Sequence, residues 1–271
     1  MTSIYVLLAS FNRRDKTMAC IRSVLMQQIS DYELKIILFD DGSTDGTNEA
    51  VKRSFPGVDL ISGDGSNYWC RSMAKAHQSI ANRLHDDDFI FCLNDDVELY
   101  VDSLKKLLSQ YHSLNSEGSV IVGSFESSSG EPTYGGLKRL GRIKYGLEVE
   151  GGSAVDTLNF NGVLIPGSTI NRNGFLDPKF EHSMGDIEYG LRLNSRNIAI
   201  VTSRSMLGLC EANELNGVFE GLNFYRRFRL CLTKKYFPPM SWLRFTRKTC
   251  GAVWPVYFFY PYLKFTIVGK K

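Results

Sequence analysis

Leu34-Lys35-Ile36-Ile37-Leu38-Phe39-Asp40-Asp41-Gly42-Ser43-Thr44-Asp45-Gly46-Thr47 joins a short apolar run to two adjacent carboxylates and a Gly/Ser/Thr turn. The run is the kind that forms a buried strand, and Ser43 or Thr44 supplies an N-cap for a helix over 44–54. Further along, Phe89-Ile90-Phe91-Cys92-Leu93 runs in the same way into Asn94-Asp95-Asp96. Neighbouring carboxylates repel each other, and a divalent cation or a set of hydrogen-bond donors relieves the repulsion. Oxygen ligands on a shared turn suit Mg²⁺ or Mn²⁺, whose other positions a diphosphate fills. Asp-Asp and Asp-Gly are also ordinary turn residues, so neither pair carries a function alone. Two pairs in order, each closing a strand, mark the carboxyl edge of an open α/β sheet, where ligands bind.

Outward from these two stretches, apolar runs at 4–9, 58–61 and 120–123 predict further strands. Helical spacing covers 15–28, 69–84 and 101–111. The alternation predicts an α/β protein, a mostly parallel sheet flanked by helices. The Gly-rich stretch 127–152 reads as an excursion, with a hairpin as one form of it.

The whole chain of 271 residues, 43% hydrophobic and with a net charge of +3, is too apolar and too weakly charged to be disordered. Six scattered cysteines without a CxxC pair read as reduced structural thiols, with Cys20 on a buried helix position and Cys92 on a buried strand position. Met1-Thr2-Ser3 leads straight into the first apolar run, so no secretory leader is expected.

The charge is uneven. Residues 221–271 contain no Asp or Glu and eleven Lys and Arg, which leaves −8 on the rest. Trp242, Phe245, Trp254, Tyr257, Phe258, Phe259, Tyr260, Tyr262 and Phe265 crowd the same segment. Basic plus aromatic is what the headgroup layer of an anionic bilayer selects. Pro255, Pro261 and Lys264 interrupt its apolar stretch, so the segment is expected to lie on a membrane and not to cross it. A helical subdomain that packs its aromatics on the core and leaves its basic face wet is the alternative. No nucleic-acid motif accompanies the charges, and no nucleic-acid partner is expected.

Taken together, the motifs resemble a family 2 inverting glycosyltransferase with the GT-A fold, over about 4–201. They are Ala9-Ser10-Phe11-Asn12-Arg13, the 40–47 run, Gly65-Ser66-Asn67-Tyr68-Trp69, Asn94-Asp95-Asp96 and Gly185-Asp186-Ile187-Glu188-Tyr189-Gly190-Leu191-Arg192. Order and separation resemble bacterial rhamnosyl- and galactosyltransferases that build capsule or O-antigen polysaccharide. The resemblance implies a GT-A domain over 1–220, with a nucleotide-sugar half over 1–96 and an acceptor half over 97–220, followed by the basic aromatic segment 221–271. It implies transfer of a sugar from a nucleotide-diphosphate donor, a UDP- or dTDP-sugar, to a hydroxyl of a lipid-linked glycan. The expected location is the cytoplasmic face of the cell membrane. A non-catalytic nucleotide-sugar or glycan-binding protein on the same scaffold is the alternative. A nucleotidyltransferase or a dinucleotide oxidoreductase would need an early Gly-rich loop, and 9–14 contains no glycine.

Residue roles follow from the resemblance. Ala9, Phe11, Asn12 and Arg13 would frame the nucleotide, and Asp41 would accept a hydrogen bond from the base. The helix that begins near Asn67 would cover the donor; Trp69 either stacks on it or packs on the sheet, and Arg71 either reaches phosphate or stays solvated. Asp95 would face the donor sugar or ribose and Asp96 would bind Mn²⁺ or Mg²⁺, while Asn94 stands where Asp is frequent. Asp186 would be the general base, with Gly185 allowing a close strand-to-helix approach and the helix N-terminus favouring the ionised carboxylate. Asn161 and Gly162 would line the acceptor side, and Glu188 would hold an acceptor hydroxyl. Some relatives supply a histidine as a further metal ligand where this chain reads Leu209-Cys210-Glu211-Ala212-Asn213. Cys210 or Glu211 is one substitute there, the diphosphate and water are the other, and His182 is the one histidine expected near the site as a ligand.

Overall fold

The computed structural model describes residues 1–114, 116, 118–149, 151–212, 221–234 and 236–268. The expected boundary at 220/221, Asn213, and the basic residues Lys235, Lys270 and Lys271 lie at or beyond the edges of the described residues. Along the first third, β1 (Thr2–Ser10), α1 (Arg14–Leu25), β2 (Tyr32–Asp40), α2 (Thr47–Ser54), β3 (Asp59–Ser62), α3 (Tyr68–Ile80) and β4 (Phe89–Leu93) alternate. Then come β5 (Glu98–Leu99), α4 (Ser103–Ser113), β6 (Val120–Glu126), β7 (Pro132–Tyr134), β8 (Gly136–Arg139) and β9 (Tyr145–Glu148). The rest comprises β10 (Gly162–Pro166), α5 (Gly167–Asn173), α6 (Gly185–Asn194), β11 (Ile200–Leu209), α7 (Phe224–Cys231), α8 (Pro239–Thr249) and α9 (Trp254–Leu263). The 127–152 excursion carries β7 and the antiparallel β8–β9 pair.

Among the described residues the main sheet runs β3-β2-β1-β4-β10-β6-β11-β5, with β7 added to β6. The first four strands are mutually parallel, and β10 is antiparallel to both β4 and β6. In register, Ser10 lies beside Asp40 and Asp40 beside Ser62, so β1, β2 and β3 end along one edge. Gly162 pairs with Leu93, so β10 begins where β4 ends, and Asn161 arrives beside Asn94. The mixed sheet is thus the one expected, with its polar strand ends gathered on one rim.

Both faces are covered, which is why the strands read as continuous apolar runs. Ile4, Val6 and Leu8 face a core shared with Met18, Ile21 and Val24 of α1 and Leu104, Leu107 and Leu108 of α4. Tyr5, Leu7 and Ala9 face the other core, with Met73, Ala76 and Ile80 of α3 and Tyr189 and Leu193 of α6. Trp242 and Phe245 of α8 belong to that second core as well, so part of the basic segment is packed on the domain. All six cysteines are buried and free.

Candidate active site

The acidic rim is held by a cation from the chain itself. Arg13, at the start of α1, sets Nη1 2.9 Å from Asp95 Oδ1 and Nη2 2.7 Å from Asp96 Oδ2. Asp95 is 4% exposed. Burial pushes its carboxyl up to about 6 even with Arg13 pulling the other way. Burial also works against the guanidinium's charge, and the two carboxylates outweigh it, so Arg13 stands above its ordinary value. Thr17 Oγ1 donates to Asp95 at 3.4 Å, and the Cys210 thiol lies 3.9 Å from Asp96.

Asp41 organises the loop ahead of α3. Its Oδ1 accepts from Gly65 N (3.2 Å) and Asn67 Nδ2 (2.8 Å), and its Oδ2 from the amides of Asn67 (3.0 Å) and Tyr68 (2.8 Å). A base reaching Asp41 therefore shares an oxygen already in use. Gly42, at φ +75°, sits where a Cβ would stand 2.8 Å from Gly65 N, so this turn and that loop require glycine. Asn12 acts in the same way on the neighbouring turn: its Oδ1 accepts from Thr44 N at 2.7 Å, and its amide donates to Ser43 Oγ at 2.8 Å. Phe11 is exposed beside it and Ala9 is buried in β1.

Trp69 packs against the sheet, edge-on to Phe160, and its Nε1 donates to Asn94 Oδ1 at 2.8 Å. Asn94 Nδ2 in turn donates to Asn161 Oδ1. This chain of amides spans α3, β4 and β10, and it takes the Asn94 oxygen that a metal would have used. Arg71 departs from a phosphate role: its Nε donates to Pro178 O at 3.1 Å and its Nη2 pairs with Glu181 at 3.3 Å, bracing the loop ahead of α6. Gly162 is tightly packed. A Cβ there would stand 2.5 Å from Phe125 Cζ and 3.6 Å from Phe91 Cζ, so the glycine serves close packing inside the sheet.

Asp186 opens α6, and its carboxylate accepts the amide of Ile187 at 2.8 Å. Burial pushes its carboxyl up to about 6, with that amide pulling the other way. Two residues on, Glu188 is buried, its Oε1 2.8 Å from Lys248 Nζ and 3.5 Å from Arg192 Nε. Glu188 lines a cleft of about 540 Å³ with Arg139, Asp156 and Lys248. The two acids thus have separate settings: among the described residues Asp186 has no cationic partner at hydrogen-bond range, and Glu188 is held by two. His182 lies edge-on to Tyr68, ring centres 6.4 Å apart. Glu211 is exposed and spends Oε1 on Ser128 N at 2.8 Å, and that donor holds it below the usual carboxylate range.

Among the described residues no three His, Cys, Asp or Glu side chains gather as a ligand set. Burial pushes the Cys210 thiol up to about 12, so it stays protonated beside Asp96. What the rim offers is carboxylate oxygen alone. That donor set fits a hard cation that completes its shell with diphosphate and water, as Mg²⁺ and Mn²⁺ do, and does not fit a closed, zinc-type cage.

An α/β sheet with an acidic pair on its carboxyl rim, an antiparallel strand inserted beside that pair and a carboxylate opening a later helix defines the GT-A class of nucleotide-sugar transferases. Within that class the chain belongs to glycosyl transferase family 2, whose profile matches residues 5–150. The solved structure of S. aureus TarS 1–349 is similar in fold, with a TM-score of 0.58 at 12% identity over 92% of this chain and 81% of that one. S. aureus TarS 1–349 in complex with UDP gives 0.55 at 15% identity, over 81% of this chain and 63% of that one. No curated protein matches the chain in sequence.

Proposed function

We propose that this glycosyltransferase moves a sugar, with inversion, from a UDP- or dTDP-sugar to a hydroxyl of a lipid-linked glycan in bacterial polysaccharide synthesis. The observation that supports the reading is the occurrence, in one family 2 chain, of an Asp186 carboxyl pushed up to about 6 by desolvation and of an acidic rim made by Asp95 and Asp96. Asp186 takes the proton of the acceptor hydroxyl as that oxygen attacks the anomeric carbon. The bond from that carbon to the diphosphate breaks on the opposite side, and single displacement inverts the anomeric configuration. A divalent cation held by Asp96 would supply the charge that stabilises the departing diphosphate. The UDP in the TarS complex supports a uridine donor here.

A thermal-shift panel of UDP, dTDP, GDP and CMP, each with and without Mn²⁺, tests this. A ligand bound only by the folded state at about 100 times its Kd adds about 2.7 kcal/mol of stability. We expect UDP or dTDP to raise Tm by several degrees, and more with Mn²⁺. Folded protein that responds to none of the four has no donor site, and the reading fails.

The lipid-linked acceptor rests on the C-terminal layer. Val256, Phe259, Tyr260 and Leu263 recur at helical spacing on α9 and are all exposed, between 48% and 68%. On α7 Phe224, Tyr225 and Phe228, and just after it Leu232, are likewise exposed, beside Arg226, Arg227 and Arg229. No helix among the described residues is long and apolar enough to cross a membrane. Aromatic stripes flanked by arginines suit the surface of an anionic bilayer. Phe259→Glu combined with Phe228→Glu is expected to weaken sedimentation with phosphatidylglycerol vesicles more than tenfold, since each buried aromatic contributes roughly 1.5–3 kcal/mol. Unchanged sedimentation would remove these helices from membrane contact.

A further inference from the structure

One guanidinium bridges two adjacent carboxylates, where the proposed function needs a divalent cation. Arg13 bridges Asp95 and Asp96 with one nitrogen to each, and Asp95 is almost wholly enclosed. A metal approaching Asp96 meets a charge already in place, so the two cations compete for the same oxygens. The Arg13 side chain is 37% exposed, against 5% and 9% for its two partners, so it is the member of the trio free to leave. Beside it opens a cleft of about 400 Å³ at the amino end of α1, lined by Arg13 itself with Asn12, Arg14, Asp15, Lys16 and Asp45. An anion of the diphosphate class placed there offers Arg13 a second bidentate partner.

From this arrangement we infer that Arg13 is an exchangeable resident cation. It holds the acidic pair together in the free protein and passes to the diphosphate when metal and nucleotide arrive together. The inference rests on the proposed donor and explains what holds the acidic pair in place without one. It requires that metal alone binds weakly and that metal and nucleoside diphosphate strengthen each other by the same factor in both directions.

The test is direct titration of Mn²⁺, read by the electron-spin signal of the free ion, on wild type, Arg13→Gln and Arg13→Lys, with and without UDP. Removing the competitor should tighten binding of Mn²⁺ alone on the order of tenfold in Arg13→Gln, with Arg13→Lys between the two. In the same variant the gain in Mn²⁺ affinity caused by UDP should shrink by a similar factor. Arg13→Gln also leaves Asp95 and Asp96 facing each other, so Mn²⁺ should raise its Tm more than it raises that of wild type. An arginine with a merely structural role would loosen metal binding when removed. Equal or weaker Mn²⁺ binding by Arg13→Gln therefore overturns the exchange. Failure of UDP to bind wild type would count against the donor assignment, while the arm with Mn²⁺ alone still decides the competition.

Discussion

Asp186→Asn is expected to lower kcat by roughly 10²–10⁴-fold, the range for losing a positioned general base, while Kd for the nucleoside diphosphate stays within about twofold. The amide keeps the size and the hydrogen bond to the start of α6 but cannot accept a proton from an attacking hydroxyl. Single-turnover rates with saturating donor measure this, and a variant retaining a third of the wild-type rate would take Asp186 out of the reaction. The pH profile carries the same information. With its carboxyl pushed up to about 6, Asp186 is ionised above that pH and protonated below it, so kcat should fall as pH drops through about 6. The cost of holding this acid buried has the opposite sign. Its folded pKa lies above the ordinary carboxylate value of 3.8, so the native state binds more protons than the unfolded one between about 4 and 6. Its contribution to stability is therefore lost as pH rises through that window. Asp186→Asn should thus have a higher Tm than wild type at pH 7.5 and the same Tm at pH 3.5, a gain in stability made at the expense of activity.

Trp242→Ala is expected to cost about 3–5 kcal/mol, as large-to-small changes at buried aromatics do. Trp242 is 3% exposed, stacks on Phe245 at 5.5 Å, meets Phe237 at 5.2 Å and donates its Nε1 to Phe258 O at 3.0 Å. The indole thus ties α8 to α9 and both to the sheet. At the usual few degrees per kcal/mol for a chain of this size, Tm should fall by roughly 10 °C, read by circular dichroism. A fall of under about 2 °C would make α8 a detachable layer. The same packing bears on truncation: removing 221–271 would strip Trp242 and Phe245 from the core together with the exposed stripes of α7 and α9. Point changes on those stripes are therefore the cleaner probe of membrane contact.

Much of this was legible in the sequence, because both faces of the sheet are buried. The runs at 4–9 and 89–93 are apolar throughout and 34–39 is apolar but for Lys35, and β1, β4 and β2 lie on them. β11 was not legible: Thr202-Ser203-Arg204-Ser205 interrupts its apolar run, and its pairing with β6 shifts register across that stretch. β5 has two residues, too few for any period. In the site, the rim followed from strand ends, but partners did not. Arg13 and Asp95 stand 82 residues apart, and nothing in either neighbourhood states that one closes on the other. Trp69, Asn94 and Asn161 come from three elements, and only the antiparallel placement of β10 beside β4 joins them. For the C-terminal segment, composition alone could not separate packed from exposed aromatics. The recurrence at 256, 259, 260 and 263 was available to mark an outward stripe.

The loop that leads into Asp186 is gripped from behind by α8 and the residues before it. Ser241 Oγ receives the amide of Glu181 at 3.4 Å, Lys234 pairs with Glu181 at 3.3 Å, and Ser183 donates to Tyr236 O at 3.2 Å. During synthesis every strand of the sheet is made by residue 209, yet those grips arrive only between 234 and 241. A growing chain can therefore complete its strands before the loop that leads into Asp186 gains these supports. The order of translation thus places the supports of the Asp186 loop after the last strand of the sheet, and a chain ended before residue 234 would keep the described strands without them.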